Sequence, residues 1–170
     1  QDEIAGLTAL ANSIDAPFSA AVASFAASTG KVVCTGIGKS GHIARKIAAT
    51  MASTGTPAIF VHPSEASHGD LGMITRGDRV LALSNSGNSH ELGDIIAYTR
   101  RFNIPLIAIT KNTDSLLGEQ ADIVLQLPAH QEACPLGLAP TTSTTMALAL
   151  GDALAVALLE RSQFTGEDFR

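Results

Sequence analysis

Five short apolar runs punctuate the chain at Lys31–Thr35, Ala58–Val61, Val80–Leu83, Leu106–Thr110 and Ile123–Leu127. Each is continuous rather than alternating. An alternating strand hides one face, whereas a continuous apolar run suits a strand covered on both. Helix-compatible spacing fills the stretches between them, at His42–Ser53, Ser89–Phe102, Ser115–Gln120 and Thr144–Arg161. Upstream, Ile4–Ser28 is rich in Ala, Leu, Ile and Phe and reads as two short helices or one bent helix. Asp15 there suits a cap, with Pro17 in the first turn of a fresh start. Strand alternating with helix predicts a doubly wound α/β sheet. No internal repeat, linker or low-complexity stretch interrupts it, so residues 1–170 are expected to form a single domain.

The last helical segment is unusually apolar. Ala147, Gly151 and Ala155 recur every four residues, beside a stripe of Leu150, Leu154 and Leu158. A helix of this kind must be covered nearly all round. Burial in the chain's own core is the favoured cover, ahead of a subunit interface, and Asp152 within it is expected to be capped or paired.

Composition narrows the classes. Hydrophobic residues make up 45% and charged residues 16%, which excludes a disordered tail. A net charge of −5 argues against wholesale binding to nucleic acid. No apolar run reaches the roughly 20 residues of a bilayer span, and Met146–Leu159 is interrupted by Gly151-Asp152, so no membrane association is expected. With 4% aromatics and no Trp, a stacking platform for bases or sugars is disfavoured. The two cysteines, Cys34 and Cys134, make neither a disulfide framework nor a metal knuckle, and fit a reducing, cytoplasmic setting. The chain begins at Gln1 without an initiator Met or leader, which predicts a piece cut from something longer.

In an open α/β sheet, ligands sit beyond the carboxyl ends of the strands. The first such loop, Gly36-Ile-Gly-Lys-Ser-Gly41, matches G-x-G-x-x-G, yet the place of the ribose-binding acid holds His62-Pro63. A Walker loop fails as well, because Val33 stands where its first glycine belongs. What is left is a tight turn through Gly38, with Lys39 and Ser40 beside a helix start, suited to one anionic group or to a sharp turn alone. The loop after the third strand, Ser84-Asn-Ser-Gly-Asn-Ser89, gathers three hydroxyls, Asn85 and a glycine at a helix start. One serine would suffice as a cap. Three, with unpaired backbone N–H groups, favour a phosphate dianion. Thr141-Thr-Ser-Thr-Thr145, after Pro140, is either a threonine-rich first turn or the completion of a hydroxyl-lined pocket. Acid–base candidates are His68, Glu91 and Glu132, all placed toward one sheet edge. Among His62, His68, Glu132 and Cys134 no pair has the close spacing of a structural zinc site, so no metal is assigned.

Four segments together carry a resemblance: Gly36-Ile-Gly-Lys-Ser-Gly-His42, His68-Gly-Asp-Leu-Gly72, Ser84-Asn-Ser-Gly87 and Glu132-Ala-Cys-Pro-Leu-Gly-Leu-Ala-Pro140. They resemble the sugar isomerase (SIS) domain of bacterial arabinose 5-phosphate isomerases, over about Gly30 to Phe169. The last block is the most specific, since phosphosugar-binding domains in general share only the serine loop. The resemblance implies a flavodoxin-like, five-stranded parallel sheet flanked by helices, normally a homotetramer. It implies interconversion of D-ribulose 5-phosphate and D-arabinose 5-phosphate without a cofactor, feeding the octulosonic acid of lipopolysaccharide or capsule. It makes Lys39, His68, Glu91 and Glu132 functional, and gives the phosphate to Ser40, Ser84, Ser86 and Ser89. Asn88 and His90 stand where the family commonly has Glu and Ser. The family's Ser-His-Pro-Gly-Gly segment, whose His counts as functional, and its CBS pair have no counterpart in these 170 residues.

Such chemistry needs ring opening, for which His68 is the candidate helper. It also needs proton transfer through an enediol by one carboxylate whose pKa is raised by partial burial. Glu132 is favoured over Glu91 for that role, with Lys39 offsetting charge on the enediolate oxygen. A phosphosugar sensor that binds without turnover is the rival reading, and an isomerase of another phosphosugar keeps the fold and changes the substrate.

Overall fold

A computed structural model describes residues 1–162; the segment around Asp168-Phe169 lies outside the described residues. The five apolar runs become β1 (Val32–Gly36), β2 (Ala58–Phe60), β3 (Arg79–Leu83), β4 (Leu106–Thr110) and β5 (Ile123–Gln126). All pairs are parallel, in the order β2-β1-β3-β4-β5. This is the doubly wound topology that the pattern predicts. Coverage on both faces holds fully for β1 and β4 and nearly so for β3, whereas β2 and β5 are edge strands with half-exposed residues.

Alternate strand residues divide between two cores. Val32, Cys34, Leu81, Leu83 and Ile107 face one of them, which is covered by α1 (Asp2–Asn12), α2 (Ala16–Ala26), α3 (Gly38–Ser53) and α7 (Thr142–Ser162). Val33, Val80, Ala82 and Ala108 face the other, covered by α4 (Pro63–Ala66), α5 (Gly93–Phe102) and α6 (Leu116–Gln120). The amino-terminal stretch is two helices, broken at Asp15 with Pro17 in the first turn of α2, although the Asp15 side chain makes no cap hydrogen bond. Asp15 therefore marks the break without capping it.

Both stripes of α7 are buried within this chain, as expected of a core helix. Gly151 lies so close to α3 that an added Cβ would collide with the Ile47 side chain. Asp152 is paired: Lys46 Nζ donates to its two carboxylate oxygens at 2.7 and 2.8 Å. Three boundaries differ from expectation. Helix α3 begins at Gly38 rather than His42, and α4 and a 3₁₀ turn at Asp70–Met73 lie between the second and third apolar runs, where the sequence pattern predicts no helix. The segment expected as one helix from Ser89 is a 3₁₀ turn over His90–Leu92 followed by α5, closed by the Leu92 N–H donating to Ser89 O at 3.1 Å.

Candidate active site

In this strand order the connections leaving β1 and β3 depart to opposite faces of the sheet, opening a crevice at its carboxyl edge. Glycines shape the first wall. A Cβ at Gly36 would stand 3.0 Å from Leu83 O, and one at Gly41 would stand 2.6 Å from Gly36 O, so the end of β1 and the first turn of α3 touch backbone to backbone. Gly38 adopts a φ of +58°, a conformation that side chains disfavour. Lys39 is exposed on that turn and Ser40 is half-buried.

The second wall is the serine loop. Ser84 is buried, its Oγ lies 2.9 Å from Ser89 Oγ, and it accepts from the Gly87 N–H at 3.1 Å. Gly87, at φ +71°, presses on Ser115, where any Cβ would collide. The loop is also tied to the next connection. Lys111 N–H donates to Asn85 O at 3.2 Å, Leu117 N–H to Gly87 O at 3.0 Å, and Leu116 N–H to Asn88 Oδ1 at 3.0 Å. Asn85 and Ser86 are exposed, and Ser86 Oγ accepts from Asn88 N–H at 3.3 Å. Ser89 makes no cap hydrogen bond with its side chain. The serines therefore fasten this loop rather than cap a helix.

The third wall joins the β5 exit to α7. Glu132 Oε2 accepts from Thr141 N–H at 2.7 Å, Thr141 Oγ1 at 3.1 Å and Ser143 N–H at 3.2 Å, while Oε1 takes none of these. Thr141 Oγ1 in turn accepts from Ala133 N–H at 2.9 Å. The carboxylate thus serves the otherwise unpartnered amides where α7 begins. Burial pushes the Glu132 pKa up, but the Ser143 and Thr141 groups around it outweigh burial and hold it below the usual glutamate range. This reverses the raised pKa expected from sequence: partial burial was read correctly, and the donors at the helix start decide the sign. The Ser143 hydroxyl, close enough to lower that pKa, has no partner of hydrogen-bond geometry.

Two openings result. A narrow slot brings together Ser40, Ser84, Asn85, Ser143 and Thr144. A wider cleft of about 350 Å³ is lined by Asn85, Lys111, His130, Glu132 and Ser143 among others. Asn85 and Ser143 border both. Lys39, His68 and Glu91 line neither opening: His68 is exposed after α4, and Glu91 Oε2 stands 3.5 Å from His90 Nδ1 on the 3₁₀ turn. A larger groove of about 460 Å³ lies between the α1–α2 turn and the end of β5, away from the Ser84–Ser89 loop, and shares Lys111 and Pro128 with the cleft. From sequence, Ser143 is offered only as part of the Thr141–Thr145 cluster, and Lys111 is omitted. Inspecting the β4 exit by the same strand-end rule would have found the lysine.

The comparison with protein families matches residues 7–157 to the SIS domain. The chain belongs to the SIS domain family. The fold and family expected from the four sequence segments are those observed. This SIS domain is 59% identical over 169 residues to the arabinose 5-phosphate isomerase KdsD of Yersinia pestis, covering 99% of this chain and 52% of that protein. It is 59% identical over 143 residues to KdsD of Pseudomonas aeruginosa, covering 84% of this chain and 44% of that protein. The chain thus spans about half the length of the curated relatives it matches. Among solved structures, E. coli CFT073 c3406 in complex with A5P superposes with a TM-score of 0.95 at 42% identity, covering 99% of this chain and 89% of that one.

Proposed function

We propose that this SIS domain carries the aldose–ketose isomerisation of D-ribulose 5-phosphate and D-arabinose 5-phosphate, upstream of octulosonic acid synthesis. The observation that carries the reading is the near-complete superposition on c3406 in complex with A5P. The identity to the two isomerases named above supports it.

The site suits the chemistry. In the open ketose a base takes a proton from C1 while the C2 carbonyl oxygen takes up the electron pair, giving an enediolate. The C1 hydroxyl proton passes to that oxygen, and return of the first proton to C2 leaves the aldehyde at C1. The reaction is internally redox-balanced, so no external oxidant or reductant takes part. Glu132 is the base in this reading. Its lowered pKa keeps it ionised at neutral pH, and its three hydrogen bonds to Oε2 aim the carboxylate while leaving Oε1 clear of them. The serine loop and Ser40 hold the phosphate, which converts remote binding energy into orientation. Lys39, His68 and Glu91 keep the roles the resemblance implies and Thr141 completes a hydroxyl-lined pocket, in a homotetramer placed in the cytoplasm, a setting its two unpaired cysteines suit.

The test is an NMR assay of ribulose 5-phosphate in deuterated water, run on this chain and on one extended through the family's Ser-His-Pro-Gly-Gly segment. Deuterium entering C1 of the ketose, with arabinose 5-phosphate forming, is the expected result. Saturable binding with no exchange in either chain would make this domain a sensor.

A further inference from the structure

We propose that Lys111 and Ser143 hold the substrate: Lys111 pairs with the phosphate dianion, and the Ser143 hydroxyl donates to a sugar oxygen. The inference rests on the isomerase reading and adds two residues to it.

Lys111 leaves the carboxyl end of β4. Its backbone is fixed on both sides, donating to Asn85 O at 3.2 Å and accepting from Gln126 Nε2 at 3.3 Å, so its Cα is pinned beside the serine loop. Its ammonium group has no ion pair among the described residues. Among the described residues it is the only lysine or arginine on the walls of the Glu132 cleft. Asn85 of the serine loop borders both the slot and this cleft, so a phosphate held by that loop comes near an ionised carboxylate, and a countercharge on the cleft wall offsets that repulsion. Lys39, the cation named from the sequence motif, does not line that cleft.

Ser143 supplies an independent observation. Only 7% of it is exposed, its hydroxyl stands near the Glu132 carboxylate without completing a hydrogen bond of good geometry, and it borders both the slot beside Ser84 and the cleft beside Glu132. The hydroxyl of its neighbour Thr142 likewise completes no hydrogen bond but lines neither opening. A hydroxyl placed where the two openings meet is positioned to bond a sugar that has its phosphate by the serine loop and its reacting carbons by Glu132.

The experiment is calorimetric binding of arabinose 5-phosphate to the wild-type chain and to Lys111→Met, Lys111→Arg and Ser143→Ala, with ligand-free melting temperatures measured in parallel and inorganic phosphate as competitor. Lys111→Met is expected to weaken binding at least tenfold and to lose competition by phosphate, and Lys111→Arg to recover affinity to within about threefold. Ser143→Ala is expected to weaken binding about three- to tenfold while its ligand-free melting temperature is unchanged or higher. Wild-type affinity in Lys111→Met or in Ser143→Ala overturns the role given to that residue and leaves the isomerase reading standing. Wild-type binding with no deuterium exchange in this chain or the extended one, with the variants weakened as stated, sinks the isomerase reading and upholds the two contacts. No binding to the wild-type chain at millimolar ligand overturns both.

Discussion

The two ends of the sheet treat polar groups in opposite ways. At the amino edge, where strands begin, charges are paired inward. Asp78 is fully buried and accepts from Lys31 N–H at 2.9 Å, Lys31 Nζ at 3.0 Å and Thr75 N–H at 2.7 Å. Asp122 accepts from Arg100 at 2.6 and 3.0 Å and from Leu106 N–H at 2.7 Å; Arg100 Nε is the one orphan of that cluster. At the carboxyl edge, Lys39 and Lys111 have no ion pair among the described residues, and the buried Ser143 hydroxyl stands near Glu132 without completing a hydrogen bond of good geometry. Both edges consist of loops around the same strands. What separates them is whether each polar group finds its partner within the chain, and an edge left unsatisfied is where a ligand is expected to supply the missing partners.

This contrast can be broken by experiment. The largest effect is expected from Glu132→Gln, which should lower turnover about 10²- to 10⁴-fold in steady-state assays while urea unfolding shifts little, since the amide oxygen can still accept at α7. Turnover at wild-type level would return the base to Glu91. At the other edge, Asp78→Ala strands the Lys31 and Thr75 donors and should cost about 3–5 kcal/mol in urea unfolding, with arabinose 5-phosphate affinity unchanged in the fraction that folds. A variant of unchanged stability would show that the amino edge is no better satisfied than the other.

Acid titration gives a smaller effect. Burial raises the pKa of Asp78 and of Asp122, but backbone and Lys31 or Arg100 hydrogen bonds prevail and leave both below the usual aspartate value of 3.8. Glu132 is likewise below 4.5. Groups depressed on folding contribute stability above their unfolded pKa and lose it as pH falls through the folded one. Stability should therefore be flat on this account near neutrality and decline from about pH 4.5 downward, as followed by circular dichroism. Asp78→Asn should shallow that decline. The smallest effect is expected from Lys46→Ala, which removes the half-exposed pair with Asp152 and should cost roughly 0.2–1 kcal/mol, detectable as a slight shift in urea midpoint.

The fold was legible because β1, β3 and β4 are buried on both faces, which forces apolar runs that no loop needs. Helix α4 was not, since four residues starting at Pro63 hold barely one turn and show no periodicity. The crevice could be read from the glycines and serines because their chemistry is local. The behaviour of Glu132 could not, because its partners lie nine and eleven positions away and are fixed only once α7 is placed. The same holds for Lys39 and His68, whose motifs are plain in the sequence but whose side chains stand outside the two openings.

The missing side chain at Gly151 reaches further than local packing. Helices α3 and α7 begin at the crevice, with Ser40 on one first turn and Ser143 on the other, and Gly151 meets Ile47 some two turns along each. At 1.5 Å per residue that contact lies about 12 Å down the helix from Ser143. The two helices therefore touch where one side offers only a hydrogen atom. A methyl group there would push them apart, so the spacing between Ser40 and Ser143 depends on a position deep in the interior that lines neither opening.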